Sequence, residues 1–140
     1  MEAFFHQYLQ FSRTFTKKIN EHIADLDLYQ SQWSIVYYLQ KNKAATLVEI
    51  SNYFQVEKPT ITRTVNRLED RQLIEKVASA DKRERRIQLT EKGLDVYDQA
   101  SAVIDAFEKQ LVEEIPKDDL EITFRTIQRL LFKINKEESV

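Results

Sequence analysis

The chain of 140 residues contains no cysteine, one glycine and two prolines. The absence of cysteine excludes a disulfide framework, a thiolate metal site and regulation through thiol oxidation. Because glycine and proline favour tight turns, their scarcity predicts few turns and a mainly helical chain. The length is that of one domain with a sizeable core.

Long apolar runs are also absent. No stretch approaches the roughly 18 uninterrupted apolar residues that a membrane helix needs. The first residues, MEAFFHQYLQFSR, begin with an acidic position and lack the layout of a secretory signal. These features predict a cytoplasmic protein that does not bind a membrane.

Charge is almost balanced overall, with a net value of -2, but it is unevenly distributed. Residues 57–90 carry nine basic and six acidic side chains, whereas residues 91–140 carry seven basic and twelve acidic ones. A basic centre beside an acidic tail indicates a local anion-binding surface on a chain that is kept soluble elsewhere. The charge count alone leaves the ligand of that surface open.

Apolar residues at helical spacing predict long helices at both ends of the chain. An aromatic-rich first helix covers residues 4–26, and a second covers residues 32–39 and ends near residues 41–43. Thr90 suits the N-cap of a long helix that Pro116 ends, with a length of about 35 to 40 Å. Asp118 is predicted to cap a last helix.

The central segment shows the signals of a short helix, a turn and another helix. Thr46 and Glu49 form a capping box, which predicts the start of a short helix that ends near residues 55–57. Pro59 fits the first turn of the next helix, where its missing N–H costs nothing. The apolar stripe of that helix is narrow, so its outward face is polar and mostly basic. The stripe consists of Ile61, Val65 and Leu68.

The periodicity then changes from helix to strand. Residues 73–78 are rich in strand formers, and residues 86–89 alternate apolar with polar side chains. The intervening residues 79–85 contain no apolar residue larger than alanine, so the tip of this hairpin is expected in solvent. The pattern predicts a two-stranded wing with a basic tip.

This order of elements favours a DNA-binding module. A helix about 10 to 12 Å across fits the major groove of DNA. On its outward face Arg63 can chelate guanine and Asn66 can pair with adenine. The basic tip suits phosphate contact or entry into a narrow minor groove.

Nearly the whole chain resembles the MarR (multiple antibiotic resistance regulator) family of bacterial transcription factors. The strongest segments are VEKPTITRTVNRLE at residues 56–69, Leu73-Ile74, Asp81-Lys82-Arg83 and LTEKG at residues 89–93. The resemblance implies a mainly α fold with a small β-hairpin wing, a winged helix-turn-helix flanked by dimerisation helices at both ends. We expect one domain over residues 1–140, with a DNA-binding lobe at 28–90 and dimerisation helices at 1–27 and 91–140.

The resemblance also implies which residues contact DNA. The helix that begins near Pro59 faces the major groove, and Arg83 enters the minor groove with Asp81 orienting it. The predicted major-groove set is Lys58, Pro59, Thr60, Thr62, Arg63, Asn66 and Arg67. The predicted wing set is Asp81, Lys82, Arg83, Arg85 and Arg86.

A homodimer is expected on physical grounds as well. A helix with an apolar stripe over about seven turns offers more surface than one small winged domain can cover. Two copies would place their recognition helices in successive major grooves, roughly 34 to 36 Å apart, and read an inverted repeat.

A small-molecule effector is a further expectation. Family members that bind small aromatic anions hold them between the DNA-binding lobe and the dimer helices, where this chain offers Phe11, Phe15, Trp33 and Tyr37. Core or dimer packing is the simpler interpretation of these aromatic side chains. No cofactor or metal is predicted, because the two histidines, His6 and His22, are too far apart in sequence to ligate from adjacent turns.

The leading hypothesis is therefore a ligand-responsive repressor. An effector would change the separation of the two recognition helices, so that both half-sites could not be engaged together. The alternative is a winged-helix module that binds protein without DNA, which predicts an apolar or acidic recognition face. An enzyme is the weakest hypothesis, since no catalytic residues, glycine-rich phosphate loop or nucleophile with a histidine partner is evident.

Overall fold

The computed structural model describes residues 2–78 and 83–138. Within them the chain forms six α-helices, one 3-10 turn and three strands, which confirms the predicted mainly helical fold with a small β-wing. The helices are α1 Glu2–Ile23, α2 Gln30–Asn42, α3 Leu47–Phe54, α4 Lys58–Asp70, α5 Glu91–Val112 and α6 Lys117–Glu138. The strands are β1 Ala44–Thr46, β2 Ile74–Lys76 and β3 Arg86–Leu89, and the 3-10 turn is Ala24–Leu26.

The chain divides into two units, residues 1–105 and 106–140. The first unit contains every buried apolar side chain of the described residues. In its core, α2, α3 and α4 pack against the sheet, because the apolar side of each of these helices faces inward. The larger side chains that are least exposed are Ile23, Ile35, Val36, Leu39, Ile50, Val65, Leu68, Leu73 and Ile87.

The wing belongs to a three-stranded antiparallel sheet in which β3 lies between β1 and β2. Ile74 pairs with Leu89, and Ala45 pairs with Ile87. The two strands predicted for the wing are confirmed. The sequence did not predict β1, because its three residues are too few to show an alternating pattern.

The helix starts follow the capping rules with two differences. The Glu49 N–H donates to Thr46 Oγ1 over 3.1 Å, which confirms the predicted start of α3. The Glu49 carboxylate accepts from the Thr46 hydroxyl over 3.2 Å, whereas in a full capping box it accepts from the backbone N–H of the N-cap residue. The prediction that Asp118 caps the last helix is wrong. α6 already begins at Lys117, which leaves Asp118 inside the first turn, where its charge still favours the helix N-terminus.

Four non-glycine residues have positive φ, among the residues that the structure describes. Glycine is the usual residue at such positions, because a Cβ is strained there. The sequence predicted few turns because glycine is scarce, but the chain forms tight turns at non-glycine residues instead. They are built from Asp27, Lys43, Gln55 and Gln72.

The single glycine lies in the first turn of α5, against the backbone of Leu73. A Cβ on Gly93 would lie 2.0 Å from the Leu73 carbonyl oxygen, closer than any side chain tolerates. The Gly93 N–H donates to Thr90 Oγ1 over 3.0 Å, and that hydroxyl donates to the Gln72 carbonyl over 2.6 Å. Thr90 is thus the N-cap that the sequence predicted, and it fastens α5 to the turn after α4.

The second unit has a different surface. No residue of the described range 106–137 is buried. Eight of its large apolar side chains are exposed by 38% to 72% of their area. They are Leu111, Val112, Ile115, Ile122, Phe124, Leu131, Phe132 and Ile134.

Candidate nucleic-acid interface

Helix α4 is amphipathic with a narrow buried side. Ile61 is 4% exposed, and Val65 and Leu68 are fully buried, so these three residues fix which face points outward. The predicted major-groove residues lie on the other side, where Thr62 is half-buried and the rest are exposed. The exposed ones are Lys58, Pro59, Thr60, Arg63, Asn66 and Arg67.

Backbone hydrogen bonds in the first turn of α4 hold the start of the helix and thereby its exposed face. The Glu57 carbonyl accepts from the N–H groups of Thr60 and Ile61, and Pro59 needs no partner in this turn. Arg63 Nη2 donates to Thr60 Oγ1 over 3.3 Å. Because a guanidinium has five N–H donors, this single long bond leaves most of them available to a ligand.

The predicted wing residues have different environments. Asp81 and Lys82 lie outside the described residues. Arg83 is exposed, whereas Arg85 and Arg86 are half-buried against the lobe. Arg86 forms ion pairs with Glu49 at 3.5 Å and with Glu84 at 3.8 Å.

Arg85 points back to the recognition helix. Its Nη2 donates to Asn66 Oδ1 over 2.9 Å and forms a very short ion pair with Glu69. This contact links the base of the wing to the outward face of α4. The sequence did not single out Glu69, although its i, i+3 spacing from Asn66 places both on one side of the helix.

A cleft of about 400 Å³ lies between the wing and the start of the helix-turn-helix. It brings Lys58 of α4 together with Arg83 and Arg85 of the wing. Two acidic side chains, Glu49 and Glu84, also line it. The cleft therefore joins residues from both predicted DNA-binding sets, and its three cations outnumber its two carboxylates.

The far end of α4 is held by a residue that sequence reasoning missed. Arg71 Nη1 donates to the Asp27 carbonyl over 2.5 Å, and Nη2 donates to the Leu26 carbonyl over 3.1 Å. Lys92 Nζ donates to the Arg71 carbonyl over 3.1 Å. The recognition helix is thereby tied to the turn after α1 and to the start of α5. No sequence signal marks such bonds, because their acceptors are backbone carbonyls distant along the chain.

The four aromatic residues predicted for an effector pocket form two pairs. The rings of Phe11 and Phe15 stack with centroids 5.7 Å apart, and those of Trp33 and Tyr37 lie 5.9 Å apart. Trp33 also stacks on Tyr97 of α5, with centroids 5.4 Å apart and planes within 15°. Tyr97 is an addition to the predicted set.

No helix among the described residues is both long and apolar enough to span a bilayer. Among the same residues, no cluster of three or more histidine, aspartate or glutamate side chains is arranged to hold a metal ion.

The helix-turn-helix of α3 and α4, followed by a β-wing, defines a winged helix-turn-helix protein. Residues 28–84 match the MarR family. The uncharacterized HTH-type transcriptional regulator YwoH of Bacillus subtilis (strain 168) is 36% identical over 116 residues, which cover 83% of this chain and 85% of YwoH. The chain therefore belongs to the MarR family of transcription regulators.

Solved structures have the same fold. The chain is similar to Staphylococcus aureus MarR in complex with salicylate and kanamycin, with a TM-score of 0.87 and 27% identity over 97% of this chain and 93% of that one. It is also similar to S. aureus MepR in a DNA complex, with a TM-score of 0.82 and 20% identity over 94% of this chain and 96% of that one.

Proposed function

We propose that this regulator binds an inverted repeat in double-stranded DNA as a homodimer and represses transcription until a small molecule releases it. The observation that carries the proposal is the outward face of α4, where Arg63, Asn66 and Arg67 are exposed opposite the buried stripe. A protein-binding face would be apolar or acidic, whereas this one presents hydrogen-bond donors suited to base edges and phosphates.

The proposed contacts follow from the chemistry of each side chain. Arg63 retains enough donors for the two acceptors on the major-groove edge of guanine, and Asn66 can read adenine. Lys58 and Arg83 border one cleft, where Lys58 would hold the DNA backbone and Arg83 would enter the adjacent minor groove. MepR, which has the same fold, was crystallised with DNA, and this likeness supports the same docking.

The proposed dimer would cover the apolar side chains of the second unit. Soluble proteins rarely leave such an apolar surface exposed unless another molecule packs on it. Helix α1 is a further candidate for the interface, because Phe5, Tyr8, Leu9 and Phe11 are exposed along it. We assign residues 28–90 to the DNA-binding lobe and residues 1–27 and 91–140 to dimerisation, in a cytoplasmic protein.

The proposed effector is a small aromatic anion. S. aureus MarR, the relative with a TM-score of 0.87, was crystallised with salicylate, a molecule of this class. The candidate contacts are the ring pairs Phe11 with Phe15 and Trp33 with Tyr37. A shift of α1 would reach the recognition helix through Arg71, whose guanidinium binds the carbonyls of Leu26 and Asp27. The effector would release the operator if it bound the dimer with mismatched helix spacing a few kcal/mol more tightly than the dimer with matching spacing.

Selection of random duplex DNA on the purified protein, followed by sequencing of the bound pool, tests the proposal. We expect an inverted repeat, and we expect its affinity to fall steeply with salt because several phosphates per subunit release counterions. The double variant Arg63→Ala with Arg83→Ala should lose operator binding. A matched control, Lys41→Ala with Lys43→Ala, removes the same charge from an exposed site outside both predicted DNA-binding sets and should bind the operator.

Two results would contradict the proposal. A bound pool with no shared sequence and a flat salt dependence would rule out an operator. Equal operator binding by the double variant and the wild type would remove the role of α4 and the wing, and would favour a protein-binding module.

A further inference from the structure

One guanidinium connects the wing to the recognition helix. Arg85 contacts Asn66 Oδ1 over 2.9 Å and also pairs with the Glu69 carboxylate. Asn66 and Glu69 are three residues apart on α4, so their side chains emerge on the same side of the helix. The ion pair is sheltered, since the two side chains are only 31% and 32% exposed.

The chemistry of the two groups sets the orientation of the Asn66 amide. A guanidinium only donates hydrogen bonds, and the carbonyl oxygen is the only acceptor of an asparagine side chain. Arg85 can therefore bind Asn66 only when Oδ1 faces the wing and Nδ2 faces away from Arg85. Rotation of the amide by 180° would place two donor groups against each other.

The oriented amide can still read a base. A carbonyl oxygen has two lone pairs, so Oδ1 can accept from a second donor while it is bound to Arg85. The amide then presents one acceptor and one donor together, which is the pattern that complements N6 and N7 of adenine in the major groove. A side chain that is ordered before binding loses less conformational entropy in the complex.

We propose that Arg85 is a positioning residue that orients Asn66 for base recognition, in contrast to the direct DNA contact that the sequence predicts for it as part of the wing set. The inference rests on the proposed DNA-binding function. Glu69 neutralises Arg85, so Arg85 adds little to the attraction of the DNA backbone. Lys58 is the cleft residue that would contact phosphate, and Arg83 would enter the minor groove.

The test compares base discrimination with salt dependence. Binding of wild type, Arg85→Met, Asn66→Ala and the double variant is measured on the selected operator and on duplexes changed at each recognised base pair. We expect Arg85→Met to lose about five- to tenfold in discrimination at one base pair, the one that Asn66→Ala also affects. The double variant should lose no more than Asn66→Ala alone, and the slope of affinity against salt should stay at the wild-type value.

Arg85→Lys separates orientation from charge. Lysine keeps the positive charge but lacks the planar fork that serves two acceptors at fixed angles. A phosphate contact would survive this change, whereas we expect discrimination at the Asn66 base pair to fall. Lys76→Met is the matched control, because Lys76 is an exposed cation of β2 that belongs to neither predicted DNA-binding set and should leave that discrimination intact. Thermal unfolding of each variant checks that the lobe is folded.

Each alternative outcome overturns the inference. Equal weakening of Arg85→Met on all sequences, with a salt slope lower by about one, would make Arg85 a phosphate contact. Unchanged discrimination in folded Arg85→Met would show that the amide needs no positioning, while the proposed function would stand. Absence of duplex binding by the wild type would instead reject the proposed function, and the positioning role with it.

Discussion

The two units of the chain differ in how they use apolar residues. In residues 1–105 the apolar side chains close a core that fixes α4 and the sheet, with Val65, Leu68 and Ile87 fully buried. In the described residues 106–137 no side chain is buried, although large apolar residues recur along both helices. The core of the first unit therefore packs within one chain, whereas the second unit presents a surface that we expect another copy to cover together with the exposed side of α1.

The largest effect is expected from a charge on the surface of the second unit. Phe124 is 63% exposed, and Phe124→Glu would place a carboxylate in the proposed dimer interface. We expect dissociation into single chains and a loss of operator affinity of about a hundredfold, because each copy would then bind its half-site alone. Sedimentation and titration of the operator measure the two effects.

Gln128→Glu is the control for charge, because it adds the same negative charge to the same helix at an exposed polar residue. It should remain dimeric. A dimeric Phe124→Glu with wild-type affinity would contradict the assignment of this face.

A smaller effect is expected where the first unit is tightly packed. Gly93→Ala would place a methyl group against the Leu73 carbonyl, 2.0 Å away before any relaxation. The start of α5 would have to move, and we expect a loss of about 3 kcal/mol in the free energy of unfolding. Urea unfolding measures this loss, with Gln99→Ala at an exposed site of α5 as the control. Equal stability of Gly93→Ala and wild type would contradict the close approach.

The smallest effect concerns the turn after α4. Gln72 has a φ of 62°, a conformation that is strained for a residue with a Cβ. Gln72→Gly removes this strain but gives the unfolded chain more freedom, so a net gain of about 0.5 kcal/mol is expected. Gln99→Gly, in the middle of α5, should lose stability instead. A loss at Gln72 equal to the loss at Gln99 would contradict the assigned backbone geometry.

Sequence reasoning was sufficient where the signal is local. The stripe of Ile61, Val65 and Leu68 predicted which face of α4 is exposed, and Thr46 and Thr90 predicted where α3 and α5 begin. It failed for β1, whose three residues are defined by pairing with the distant β3.

The contacts that orient the candidate site were also beyond the sequence. Arg85 and Glu69 are sixteen residues apart along the chain, and many basic side chains near the wing could equally have faced α4. Arg71 is still harder to predict, because it binds carbonyl oxygens that every residue has. Such contacts depend on how the elements pack, which a local pattern does not encode.

We propose that two copies of this chain read one duplex through α4 and the wing. The mass of the complex formed with a duplex carrying a single selected inverted repeat tests it most directly. Two chains per duplex are expected, with much weaker binding when one half-site is scrambled. One chain per duplex, bound equally well by the intact and the half-scrambled sequence, would contradict the account.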